Sequence, residues 1–422
     1  MTQLSLDIVR LGAKGDGVAE GPNGPVYVPR AIPGDRVLVD TAYGEPEIVS
    51  VETASSHRIA PFCKLFGTCG GCLMQEADEA TYSDWKRGLV VEAMAPLKAG
   101  DLVLPIVPAH GLGRRRVTFH ARRSENGVDV GFMKARSHDL VPIDACPLLS
   151  PGLSRAAEIA QPLAVRLAES GKPLDIAITE TLGGLDVDLR GHGPAGSQLR
   201  RTLSLDAEFY DLARLSMHGD VIVERRSAEI AIGRARVILP PGGFLQATQS
   251  GEETLAGLVT KALGKSARVV DFFSGIGTFA LRIAEKSAVH AVESNLPAVN
   301  ALQRAIRETQ GLKPLTVEPR DLYRRPLLAP ELNKFDAVVL DPPRGGAEAQ
   351  MRALAASKVP LVVSVSCHLG TFARDAEILV RGGFTLKSIT PVDQFRHSSH
   401  IELVGVFERA ASSLKRPRKL LG

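Results

Sequence analysis

The chain has 422 residues, 44% hydrophobic and 23% charged, with a net charge of +4. That length exceeds one typical core, and the composition is that of an ordinary soluble protein with two or three domains. The opening MTQLSLDIVRLGAKGDG lacks a basic region followed by an apolar stretch, and no apolar run approaches the roughly 20 residues of a membrane span. A cytoplasmic protein without membrane attachment is therefore expected.

Residues 1–58 read as short strands, LSLDIVRL, PVYVPR and RVLVD, broken by GAKGDG, GPNG and IPGD. Strands at this spacing suggest a small barrel. A loop with three cysteines follows, then a helical pattern around Thr81–Pro96. From about 105 to 235 strands mix with one clear helix near 151–170, and LDIAITE and LDVDLRG form a hairpin around Gly183–Gly184. From about 266 the rhythm becomes regular strand–helix alternation. ARVVDFF, AVHAVES, PLTVEP, FDAVVLD and VPLVVSVS alternate with helical segments, and TLKSIT and HIELVGVF close the pattern. Apolar strands buried on both faces predict a doubly wound α/β domain.

Charge is unevenly spread. Residues 1–60 hold five Lys/Arg against eight Asp/Glu, whereas residues 98–136, with Arg114, Arg115, Arg116, Arg122, Arg123, Lys134 and Arg136, hold eight against three. The tail KRPRK at 415–419 is basic as well and reads as a disordered arm. Two basic patches on one chain bring nucleic acid into consideration as a partner.

In VVDFFSGIGTF, Gly275 and Gly277 follow the first α/β strand and let the backbone approach a ligand at the next helix. Glu293 closes the second strand, where an acid meets a ribose hydroxyl pair, and Asp321 lies just past the third. In an open α/β sheet these strand ends face one crevice. A turn and two acids without a pyrophosphate loop suit an adenosine ligand, with S-adenosylmethionine (SAM) as the candidate. The fourth strand ends in LDPPRGG, where Arg344 follows the prolines in place of the aromatic that stacks on a base in amino-methylating enzymes.

Five cysteines in a long chain of this kind argue for metal binding or catalysis rather than a disulfide framework. Cys63, Cys69 and Cys72 form C-x5-C-x2-C with paired glycines, and Cys146 is available as a fourth ligand. Spacing alone allows an iron–sulfur cluster or a four-cysteine zinc site. Cys367 ends the fifth α/β strand. A lone cysteine is commonly a small buried hydrophobe, but this one opens onto the crevice. If the last strand runs antiparallel beside the fifth, Glu402, near its start, joins Cys367 and Asp341 there. A thiolate and a carboxylate suit methylation at carbon 5 of uracil: the thiolate adds to carbon 6, and a base removes the carbon 5 proton.

These motifs together resemble the SAM-dependent RNA uracil-5-methyltransferases, in particular the ribosomal RNA branch carrying a [4Fe-4S] cluster. The resemblance runs over nearly the whole chain. Residues 1–58, with GDGVAE and VYVPRAIPGDRV, look like that family's TRAM domain, an OB-like RNA-binding barrel. C-x5-CGGC-x-x-Q is similar to its cluster loop, which implies Cys63, Cys69, Cys72 and Cys146 as iron ligands. By the same resemblance, Gln246 in F-x-Q, Phe273, Thr278, Glu293, Asp321 and Asp341 bind SAM. Cys367 in VSC-x3-T-x-x-RD is then the nucleophile, and Glu402 in H-x-E the proton acceptor.

Four positions depart from the family pattern: His368 and Thr248 stand where Asn is usual, Ser274 where Cys is common, and Arg396 where D-x-F-P has proline. The expected organisation is a TRAM-like barrel at 1–58, a central α+β domain with the cluster loop at 59–235, a Rossmann-like SAM methyltransferase domain at 236–410, and a basic tail at 411–422. The first barrel is acidic, so RNA backbone contact is expected from the basic 98–136 segment. The implied enzyme is a monomer acting on structured RNA, ribosomal RNA first. Alternatives are a transfer RNA uridine-5-methyltransferase and a non-catalytic iron–sulfur or zinc RNA-binding or assembly factor.

Overall fold

The computed structural model describes residues 3–409, apart from Pro22, Tyr43, Glu45, Asn126, Glu169 and Ser170. The expected tail at 411–422 lies outside the described residues. At the start, five antiparallel strands lie in the order Gly24–Val28, Gly17–Gly21, Gln3–Leu11, Arg36–Asp40 and Glu47–Thr53. Alternating side chains gather Leu6, Ile8, Val37 and Val39 into a small core with Val28 and Ala31. Asp35, 1% exposed, fastens the chain here by accepting from the N–H groups of Ile32 and Ser55 and pairing with Arg58. The two end strands do not pair with each other, so among the described residues the hydrogen bonding gives an open sheet, not the closed barrel expected over 1–58. Glu47–Thr53 is exposed along nearly its whole length, so no buried side-chain row draws it toward the far edge.

A seven-stranded sheet follows, in the order Asp220–Glu224, Arg214–Met217, Gly184–Arg190, Leu174–Thr181, Arg116–Ser124, Gly127–Met133 and Leu140–Pro142. The expected hairpin forms, with Thr181 opposite Gly184. Helices Ala156–Leu167 and Ser197–Phe209 pack on this sheet, burying Leu163, Leu167 and Leu203 with Ile176, Val187 and Leu215.

The third sheet has eight strands, ordered Leu315–Pro319, Ala288–Glu293, Arg268–Phe272, Ala337–Leu340, Leu361–Ser366, Glu402–Arg409, Phe384–Asp393 and Val107–Pro108. The first five are parallel, and Glu402–Arg409 runs antiparallel between its two neighbours. Ala337–Leu340 is buried throughout because apolar layers cover both faces, as its unbroken AVVL run requires. Chain order reverses between Arg268–Phe272 and Ala337–Leu340, where the carboxyl ends of the strands open a crevice. Segments from earlier in the chain complete this unit. Helix Glu79–Ala93 puts Trp85, Leu89 and Val90 into one core with Phe272 and Leu403, and Val107–Pro108 pairs with Val392 and Asp393 at the sheet edge. The hairpin of Glu229–Ile232 and Ala235–Ile238 shares a second core with Val269 and Leu255. Among the described residues, no helix is long and apolar enough to cross a membrane.

Candidate active site

Cys367 follows directly on the strand Leu361–Ser366 and precedes the helix Leu369–Arg381. Ser366 pairs with Leu403 in the antiparallel register, so the next residue on one strand, Cys367, stands across from Glu402 on the other. The thiol is half-buried, and burial followed by the charges of Glu402 and Asp341 pushes it up to about 11, against the pull of Arg344. His368 caps the helix, its Nδ1 accepting from the Thr371 N–H at 3.2 Å. Asn at this position would do the same work, which makes the His368 departure structurally neutral.

Glu402 is 4% exposed, and its Oε1 accepts from Gln394 Nε2 at 3.1 Å. Its Oε2 is buried with no hydrogen-bond partner among the described residues. Burial, reinforced by Asp341, holds this carboxyl well above the usual range, while Gln394 opposes the shift. Gln394, 1% exposed, also donates to Gln246 Oε1 at 2.7 Å, and Gln246 Nε2 donates to Asp341 Oδ2 at 3.3 Å. Asp341, Gln246, Gln394 and Glu402 therefore form one hydrogen-bonded series. Asp341 keeps some accessible surface, yet its carboxyl is desolvated enough to be raised, with Gln246 opposing.

The loop carrying Gln394 is pinned from below by the helix Glu79–Ala93. Lys86, fully buried, sets its Nζ 2.5 Å from Asp393 Oδ1 and donates to the Phe395 carbonyl at 3.1 Å. Tyr82 donates to Asp393 Oδ2 at 2.8 Å and accepts from the His397 N–H at 2.9 Å. Thr248, the second departure, accepts from the Gly251 N–H at 2.8 Å to cap the helix Gln249–Leu263 and donates to the Ala109 carbonyl at 2.6 Å.

On the other side of the crevice, Gly275 and Gly277 take positive φ of 54° and 98°. A Cβ on Gly277 would lie 2.5 Å from a Leu302 methyl. Glu293 locks this turn: its Oε2 accepts from the Gly275 N–H at 2.9 Å, and its Oε1 from the Ser294 and Asn295 N–H groups at 2.7 Å each. Thr278 is half-buried just beyond, and Ser274 is buried beneath. Phe273 has φ +58°, a strained value outside glycine, and its ring lies 5.6 Å from that of Tyr323. Asp321 accepts from the Tyr323 N–H at 2.9 Å, which turns that residue toward Phe273. Asp271, inside the apolar VVDFF strand, is fully buried and held far above its usual value by burial, then by Asp341 and Glu293, with the Ala280 N–H opposing. Among the described residues, no Lys or Arg forms an ion pair with Asp271, Glu293, Asp341 or Glu402. An acidic crevice of this kind favours a cationic ligand.

Cys63, Cys69, Cys72 and Cys146 all line one cavity of about 230 Å³, with Phe62, Phe132 and Arg114 in its wall. The loop is stitched to the central sheet by Gly70 N–H to Met133 O at 2.9 Å, and to the Gln394 loop by Leu73 N–H to His397 O at 2.7 Å. Burial raises the Cys69 and Cys146 thiols and pushes Cys72 up to about 11. Among the described residues, no three His, Cys, Asp or Glu side chains are gathered closely enough to hold a metal ion. The four cysteines therefore share a cavity without forming the ligand set expected of them. Neutral thiols have no mutual attraction, and a ligand set closes around the cation that deprotonates it. The surroundings suit a thiolate-held group: Gln75 lines the cavity beside the Cys72 thiol, and its buried Nε2 has no other hydrogen-bond partner among the described residues.

The basic 98–136 segment is only partly free for RNA. Arg115 is buried, paired with the fully buried Glu252 and donating to the Gln246 carbonyl at 3.1 Å. Arg136 pairs with Asp16 at 2.6 Å and ties the first sheet to the central one. The expectation of backbone contact is corrected for Arg115, whose guanidinium is buried against Glu252 and cannot reach a phosphate, while Arg136 spends part of its fork on Asp16.

No family model matches the chain. An uncharacterized RNA methyltransferase of Brucella melitensis is 44% identical over 404 residues, spanning 96% of this chain and 97% of that protein. The 23S rRNA (uracil(1939)-C(5))-methyltransferase RlmD of Chromohalobacter salexigens is 32% identical over 436 residues, spanning 95% and 88%. The chain belongs to the RNA methyltransferase family. The methyltransferase shares its fold with the tRNA (uracil-54, C5)-methyltransferase of Pyrococcus abyssi, solved with S-adenosyl-L-homocysteine, at a TM-score of 0.72 and 20% identity over 96% of this chain and 100% of that one.

Gln394, Asp271, Tyr323 and Lys86 line or support this candidate site without having been singled out from the sequence. Asp271 carried a signal, an acid within an apolar strand beside the glycine turn. Lys86 carried none, since its partner Asp393 lies 307 residues away.

Proposed function

We propose that the methyltransferase transfers the methyl group of SAM to carbon 5 of a uridine in 23S ribosomal RNA. The observation that carries this reading is the opposition of Cys367 and Glu402 across two strand ends, with Glu402 Oε2 buried and unpartnered among the described residues. When bound, SAM supplies an electrophilic methyl on a sulfonium, and the unpaired carboxylates of the crevice favour that positive charge. Gln246, Phe273, Thr278, Glu293, Asp321 and Asp341 are the residues proposed to hold it.

Cys367 enters as the thiolate and forms a bond from Sγ to carbon 6 of the flipped-out base. The electron pair displaced to carbon 5 takes the methyl as the methyl–sulfur bond breaks, its pair staying on the departing thioether. Glu402 Oε2 then accepts the carbon 5 proton; the freed pair re-forms the carbon 5–carbon 6 double bond, and the Sγ–carbon 6 bond breaks to return the thiolate. The raised Glu402 suits a proton acceptor working near neutral pH. Cys63, Cys69, Cys72 and Cys146 are proposed to hold a [4Fe-4S] cluster, which would cross-link the loop that abuts His397. Gln75 would donate an N–H to its sulfur ligands.

The ribosomal assignment draws on the 23S rRNA named for the Chromohalobacter relative. The test is a map of 5-methyluridine in ribosomal and transfer RNA from cells with and without the gene. Loss at one 23S position is expected; loss confined to transfer RNA would overturn the substrate, and no loss in either would overturn the reaction.

A further inference from the structure

Against Gln394 lies a second, smaller cavity of about 90 Å³ lined by His110, Gly113, Arg114, Thr248, Gln394 and Arg396, with Glu402 not among its lining residues. No carboxylate lines it. Of the nearby acids, Asp393 is engaged by Lys86 and Tyr82, and Glu79 pairs with Arg396 Nη2 at 3.3 Å, which leaves the Nε of that guanidinium uncommitted. Two buried nitrogens on its lining residues, Arg396 Nε and His110 Nδ1, have no hydrogen-bond partner among the described residues. Arg396 Nε is a donor in every protonation state. Burial pulls His110 down, and an imidazole offers an N–H at Nδ1 when protonated and in one of its two neutral tautomers. The Arg114 guanidinium, the uncommitted Nε of Arg396 and a buried imidazole, with no carboxylate among the lining residues, describe a seat for an oxyanion. Its volume is small, on the scale of a few ordered waters or one compact oxyanion.

Position decides which phosphate. The wall formed by Gln394 is the side chain that donates to Glu402 Oε1, so an occupant lies one residue from the group facing the target base. We propose that this cavity seats a phosphodiester of the substrate RNA adjoining the methylated uridine, with Arg396 and His110 as its donors and Arg114 as its second positive charge. The inference rests on the proposed reading that Glu402 faces the uridine. It assigns a purpose to Arg396, which occupies the proline position of the D-x-F-P stretch: a proline there would offer neither charge nor donor.

The test uses the full-length enzyme and a synthetic RNA fragment spanning the uridine identified by the methylation map. The wild type must first make 5-methyluridine in that fragment; if it does not, the functional reading fails before the cavity is tested. Given activity, Arg396→Gln should raise KM for RNA by about tenfold, leave kcat and SAM affinity within about twofold, and lower the slope of log(kcat/KM) against log salt by about 0.7. His110→Ala should act in the same direction, which guards against a local defect of one variant. A single methylphosphonate beside the uridine should reproduce the loss in wild type and add nothing to Arg396→Gln. Unchanged KM and salt slope in both variants, or fully additive losses, would overturn the proposal. So would competition by millimolar inorganic phosphate without any effect of the methylphosphonate, which would make the cavity a free-oxyanion site.

Discussion

Replacing Glu402 by Gln should separate the two halves of the reaction. Its carboxylate has two effects on the chemistry: it is the proposed acceptor of the carbon 5 proton, and its charge is, after burial, the largest cause of the raised Cys367 thiol. With that thiol at about 11, only about one enzyme molecule in a thousand carries the thiolate at pH 8. Removing the adjacent charge moves the thiol down, and each unit of descent multiplies the thiolate about tenfold, worth about 1.4 kcal/mol. Bond formation to carbon 6 is therefore expected to proceed in Glu402→Gln at least as fast as in wild type. Release, having lost its base, should slow by about 10²–10⁴-fold. The assay is rapid mixing with SAM and substrate RNA, denaturing electrophoresis for a protein–RNA band, and mass analysis of its methyl content. The expected outcome is a methylated adduct that accumulates and persists. Free methylated product at the wild-type rate would refute the base assignment, and the absence of any adduct would make Glu402 a requirement for thiol attack instead.

Other outcomes follow from groups further out. Lys86→Met leaves Asp393 buried without its cation and should cost about 3–5 kcal/mol in a denaturant melt; a cost under about 1 kcal/mol would contradict a structural role for the pair. Burial pushes Asp35 up, but Arg58 and the Ser55 and Ile32 N–H groups prevail and leave it below its ordinary value. Its stabilisation is thus complete above the unfolded value of about 3.9 and disappears as pH falls through the lower folded value. Melts of wild type and Asp35→Asn should accordingly differ at neutral pH and converge in acid, and curves that stay parallel throughout would count against the linkage. Protein isolated without oxygen should carry iron and absorb near about 400 nm, and Cys72→Ser should lose both; equal metal content in the two would remove Cys72 from the ligand set.

The inner parallel strands were legible because each is a short apolar run, and burial on both faces leaves no other pattern. The opposition of Cys367 and Glu402 was legible as well, since it needs only the antiparallel last strand. The Gln394 bridge was not: a glutamine between Asp393 and Phe395 has no periodicity to announce it, and it joins Glu402 to Gln246 and Thr248, nearly 150 residues earlier. The helix Ser197–Phe209 escaped notice for a local reason, as only Leu203, Asp206 and Ala207 are buried and its apolar stripe is faint. Arg115 and Arg136 look like RNA contacts in one dimension; only folding brings Glu252 and Asp16 beside them.

The ion pair between Lys86 and Asp393 also sets a timetable for synthesis. The two residues are 307 apart, so at about 5–20 residues per second the ammonium waits roughly 15–60 s for its counter-ion to leave the ribosome. Throughout that interval Trp85, Leu89 and Val90 lack the Leu403 side of their core. A chain interrupted before its final strands therefore presents an apolar helix face beside an unpaired lysine, a surface on which chaperones and proteases can recognise unfinished copies.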